Sequence, residues 1–113
     1  MTAARSATPG PDGPGVAAST AGALPPGVET ELTRIERRWS QLSVDAAGRT
    51  VPELRRLAER LAGLTDPGVS LPQASDAALP AQLRVVAYDA LLAGRIGAQE
   101  AQDALARVRR ELP

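Results

Sequence analysis

The sequence predicts an all-α fold: a small antiparallel four-helix bundle preceded by a disordered N-terminal tail. Three observations carry this expectation. Ala supplies 22 of the 113 residues and Leu 14, against one Trp, one Tyr and no Phe. That mix favours helices over strands, which draw on β-branched and aromatic residues. Apolar residues beyond position 27 recur at helical spacings of three and four. Five of the ten Gly and five of the ten Pro fall within residues 1–27, so the remainder is richer in helix formers than the whole chain. One domain is the upper limit at this length.

Residues 1–27 hold only two charged side chains, Arg5 and Asp12, and few large aliphatic ones. Pro9, Gly10, Pro11, Gly13, Pro14 and Gly15 oppose regular structure. Too little apolar surface is present to offset the entropy of ordering. The segment reads as a disordered Pro/Gly/Ala-rich tail, and residues 28–113 as the helical bundle.

The first helix is expected over residues 28–42. Val28, Leu32, Ile35, Trp39 and Leu42 form one stripe, with Arg34, Arg37 and Arg38 off it. Residues 43–48 read as its end. A second helix is expected over residues 51–64. Thr50 with Glu53 has the pattern of a capping box, and Pro52 suits a first turn. Leu54, Leu57, Ala58, Leu61 and Leu64 form its buried stripe, and Glu59 is placed to pair with Arg55 and Arg56. Asp66-Pro67-Gly68 stops it. Val69 and Leu71 are expected to pin an extended connector to the core, since Leu71 precedes Pro72. A third helix is expected near residues 77–93, with Pro80 in its first turn and Gly94 as its stop. Arg95-Ile96-Gly97 turns the chain. The fourth helix, near residues 98–112, points Ala101, Ala104, Leu105, Val108 and Leu112 inward.

The third helix departs from the pattern of the others. Leu79, Leu83, Val86, Ala87, Ala90 and Leu91 form one stripe. Ala81, Val85, Tyr88 and Leu92 form a second on the opposite side, with Arg84 and Asp89 between. A helix apolar on both sides is covered on both sides. The cover is either the rest of this chain, which makes the helix central, or a partner. Tyr88 suits an interface rim because its ring is apolar and its hydroxyl is not. The second stripe is therefore the candidate partner-binding site.

Composition removes much chemistry. The chain has no Cys, His, Lys or Asn, and its 13 Arg balance 13 carboxylates. Disulfides, thiolate or imidazole metal ligands, Ser-His and Cys-His couples and Schiff-base lysines are excluded. No catalytic residue, metal ligand or cofactor is assigned. Among the acids, Asp89 is the one expected to be half-buried, since it flanks two apolar stripes. No Gly-rich phosphate loop follows a strand. No apolar run approaches the ~20 residues needed to span a bilayer. No secretory signal is evident either, so a cytoplasmic protein is expected. The codon content behind abundant Ala, Arg, Gly and Pro points to a GC-rich bacterial source.

Balanced charge argues against nucleic acid as the main partner. The stretch Leu57-Ala58-Glu59-Arg60-Leu61 resembles the first helix of a helix-turn-helix, but no basic second helix follows. The pairs Arg37 and Arg38, Arg55 and Arg56, and Arg109 and Arg110 remain as possible phosphate contacts if they converge. The sequence thus points to a non-enzymatic protein-interaction module that takes a protein partner or a second copy of itself. A nucleic-acid-associated regulator using the Arg pairs is the alternative.

Overall fold

Four α-helices account for most of the described chain. Helix α1 spans Pro26–Gln41. Helix α2 spans Val44–Thr65. A 3-10 turn at Asp76–Ala78 leads into α3, Leu79–Leu92, and α4 spans Ala98–Glu111. The computed structural model describes residues 24–68 and 70–113. Most of the expected tail, residues 1–23, and the expected anchor Val69 lie outside the described residues. Within them the fold is all-α, with no strand.

Helix α1 begins two residues earlier than expected. Pro26 sits in its first turn, where a missing N–H costs nothing. Val28, Leu32, Ile35 and Trp39 are buried, as their spacing requires.

Helix α2 corrects the expected capping box. Residues 44–48 do not end the first helix; they begin the second. Ser43 is the N-cap, and its hydroxyl accepts the Ala46 N–H at 3.1 Å. Thr50 is buried in mid-helix instead, donating to the Ala46 and Ala47 carbonyls at 3.3 and 3.0 Å. Pro52 lies inside the helix. An interior proline costs about 3 kcal/mol, because it leaves the carbonyl four residues back without its partner. That carbonyl belongs to Gly48, which is exposed, so solvent can serve it. The cap contributes about 1 kcal/mol, and burial of Ala46 and Thr50 on the face of Leu54 adds to it. Glu53 pairs with Arg56 at 2.9 Å, so Arg56 does not take the expected Glu59 partner.

Two ion-paired seams fix how the helices lie. Glu31 of α1 meets Arg109 of α4, and Arg38 donates to the Pro113 main-chain oxygen at 2.6 Å. Residues rising along α1 thus meet residues rising along α4, so these two helices run side by side in one direction. Against α3 the order reverses: the Trp39 indole meets Asp76, and Glu36 meets Arg84. Helices α1 and α3 are therefore antiparallel. The connector after α2 returns beside it, where Leu71 and Ala74 pack on the core and Arg55 donates to the Ala74 carbonyl.

Helix α3 closes as its sequence predicts. Gly94 takes φ of 69°, a left-handed conformation open to glycine at little cost. The Gly94 and Arg95 N–H groups bond back to Leu91 and Ala90, which is a Schellman motif. Ile96 then turns inward and is buried, so this residue of the turn joins the core. Leu32, Ile35, Leu54, Leu61, Leu79, Leu83 and Leu105 are the large side chains at its centre.

Candidate partner-binding face

The two stripes of α3 have opposite fates. Leu79, Leu83, Val86, Ala87 and Ala90 are buried and Leu91 is partly buried. On the far side Val85 is 57% exposed and Leu92 64% exposed. Ala81 is exposed too, and Tyr88 is half-buried. Among the described residues nothing lies over this second stripe. Among the described residues α3 is therefore not a central helix covered on both sides. α3 forms part of one surface of the bundle, with its core stripe down and its second stripe up.

The stripe does not end at Ala81. It runs into a hollow of about 510 Å³ at the elbow between α1 and α2. Trp39, Leu42, Val44, Ala47, Pro80 and Ala81 supply its apolar lining. Trp39 forms part of the floor, held by its indole N–H, which donates to the Asp76 carbonyl at 2.9 Å. Val44 stands 87% exposed at the rim. Sequence reasoning missed this hollow because it assigned Val44 and Ala47 to a loop. The signal was present: Ser43, then Asp45 in a first turn, then Ala46, Thr50 and Leu54 at spacings of four.

The rim of this surface is acidic. Glu36 and Asp76 border the hollow. Asp89 flanks the stripe and is exposed, not half-buried as expected; α3 is covered on one side only, so a residue beside the second stripe faces water. Arg84 flanks the other side and is engaged by two carboxylates. It grips Glu36 with Nε and Nη2 at 2.9 and 3.0 Å, and Glu29 with Nη1 at 2.7 Å. The hydrogen bond from Arg84 holds the Glu29 carboxyl below its ordinary range. The bonds that Arg84 donates to Glu36 and then to Glu29 raise its guanidinium above its own ordinary range.

The Arg pairs divide. Because α1 and α4 run in one direction, Arg37 and Arg38 come to the same end as Arg109 and Arg110. Arg109 is spoken for by Glu31, only 5% exposed, which also takes Arg34 at 3.3 Å. Arg55 and Arg56 do not join the group. Arg55 turns to the Ala74 carbonyl and lies 4.0 Å from Asp76. Arg56 lines a polar groove of about 650 Å³ between α2 and α4. That groove mixes Glu53, Glu100, Asp103 and Glu111 with Arg56, Arg60 and Arg107. Glu100, Asp103 and Glu111 are exposed and Glu53 is partly so.

Among the described residues no three acidic side chains gather as metal ligands, and no helix is long and apolar enough to cross a membrane. No family model matches the chain, and no match was found to a curated protein or to a solved structure.

Proposed function

We propose that the chain is a non-enzymatic helical interaction module that binds a protein through the outer face of α3. Ala81, Val85, Tyr88 and Leu92 make the contact, and the hollow over Trp39 extends it. One observation carries the reading: a stripe with helical spacing holds two large aliphatic side chains more than half exposed. Single exposed aliphatics are ordinary, but a contiguous row marks an interaction surface. The absence of Cys, His and Lys from the chain, together with the solvated acids of the α2–α4 groove, supports a binding role over a catalytic one.

A second copy of the chain is the first partner to test. Sedimentation of the wild type beside Val85→Glu tests it. Self-association abolished by the substitution supports a homodimer; a wild type monomeric at tens of micromolar gives the face to another protein. Folding of both is checked by circular dichroism.

The second reading is a nucleic-acid-associated regulator. The gathering of Arg37, Arg38, Arg109 and Arg110 at one end of α1 and α4 favours it. Both helix C-termini lie there, however, and cations offset their dipoles without any ligand. Backbone binding would be lost steeply between low and moderate salt. No binding to duplex or single-stranded oligonucleotides at low salt ends this reading.

A further inference from the structure

We propose that the occupant of the α3 face is an amphipathic helix of another protein, with Arg or Lys flanking its apolar stripe. The proposal rests on the reading of this face as a docking surface and names its partner. Two features of the face specify that chemistry.

The first is shape. Ala81 to Leu92 covers three turns of helix, about 16 Å at 1.5 Å per residue. A ridge of that spacing packs best against another helix. The hollow beside Ala81, floored in part by Trp39, has room for one large aliphatic or aromatic side chain. Interfaces of this kind are anchored by such a residue.

The second is charge. Asp89 flanks the stripe, exposed, and the Asp76 side chain, 4.0 Å from Arg55, is still 57% exposed at the hollow. The opposite flank carries Glu29, Arg84 and Glu36, one cation against two anions. Arg84 has a donor engaged at Nε, Nη1 and Nη2 alike, so it has little to offer a partner. A second copy fits this poorly. In a parallel pairing the flank residue at 84 faces the one at 89 of the other chain, as in a coiled coil. The cluster of net charge −1 around Arg84 would then face Asp89. In an antiparallel pairing Asp89 faces Asp89 and cluster faces cluster. The parallel pairing sets Asp89 against a cluster of net negative charge and the antiparallel one sets Asp89 against Asp89, which argues against self-pairing. Lys or Arg flanks on a foreign helix meet both rims favourably.

The test uses the full chain and three synthetic peptides of about four helical turns. One has a Leu/Ala stripe flanked by Lys, one the same stripe flanked by Glu, and one is a scramble of the Lys peptide. Trp39, the single tryptophan of the chain, reports binding by its fluorescence, and the anisotropy of labelled peptide gives the Kd. The Lys-flanked peptide is expected to bind, with the Glu-flanked and scrambled peptides at least about tenfold weaker. Asp89→Arg should weaken the Lys peptide about two- to fivefold. Val85→Glu should weaken it about tenfold or more; if that variant misfolds, Ala81→Glu takes its place. Equal or tighter binding of the Glu-flanked peptide overturns the charge assignment while leaving the docking face intact. A wild-type dimer that Val85→Glu dissolves overturns the foreign partner in favour of a second copy. No peptide binding and no self-association removes both the occupant and the face.

Discussion

The indole N–H of Trp39 donates to the main-chain carbonyl of Asp76 at 2.9 Å. This one bond ties the last turn of α1 to the 3-10 turn that launches α3. It also fixes the floor of the hollow that continues the exposed stripe. Trp39 is 8% exposed, so its ring serves the core and its edge serves the surface. Trp39→Phe keeps most of the ring and strands the carbonyl, at a cost of about 1–2 kcal/mol. Trp39→Ala should cost about 3–5 kcal/mol. Urea denaturation of both variants checks the gap between them.

Adjacent residues of α3 should behave in opposite ways. Val85→Glu places a carboxylate in water and should change stability by no more than about 0.5 kcal/mol. Val86→Glu buries that carboxylate among apolar side chains and should unfold the domain or cost about 4 kcal/mol or more. Thermal melts followed by circular dichroism distinguish the pair. A large loss for Val85→Glu would mean that the stripe is covered after all.

The start of α2 can be located by mutation. Ser43→Ala should cost about 0.5–2 kcal/mol, the value of an N-cap. A helix beginning at residue 51 would make that substitution neutral. Chemical denaturation of the single variant decides between them.

Glu31 depends on its cations. Arg109→Leu leaves a carboxylate that is 5% exposed with only Arg34 beside it, and should cost about 1–3 kcal/mol. Adding Glu31→Leu removes the stranded charge and should restore much of the loss, since apolar replacement of a whole buried pair is often neutral or better. A double variant no more stable than the single one would contradict this.

Acid should weaken the α1–α3 seam. The Glu29 carboxyl titrates below its unfolded value because Arg84 donates to it. Its contribution is therefore complete above the unfolded value of about 4.3 and is lost as pH falls through the lower folded value. Glu29 is about half exposed, so solvent keeps the effect small. Glu29→Gln should flatten the stability–pH curve slightly below pH ~4.5 relative to wild type, as read by denaturation midpoints.

Much of this protein was legible in one dimension. The Val28, Leu32, Ile35, Trp39 stripe, the Leu54 to Leu61 stripe, the Gly94 stop and the inward face of α4 all follow from local periodicity and turn chemistry. So did the anomaly of α3, since a second apolar stripe is a property of the helix alone. The start of α2 was not legible from its strongest local signal. Thr50, Pro52 and Glu53 satisfy the rules for a helix start, yet Ser43 supplies the cap and burial of Ala46 and Thr50 favours the longer helix. A tertiary gain outweighed a local penalty.

Direction, pairing and exposure needed the third dimension. The 3.6-residue period shows which side chains share a face, but not which helix that face meets. Only packing set Glu31 against Arg109 and Arg84 between Glu29 and Glu36, across separations of 78, 55 and 48 residues. The same packing left Val85 and Leu92 in water, because α3 has one buried neighbouring layer and not two. The sequence by itself determined that α3 carries an extra apolar face. The tertiary structure decided that this face is open, that it ends in a hollow over Trp39, and that its borders are acidic.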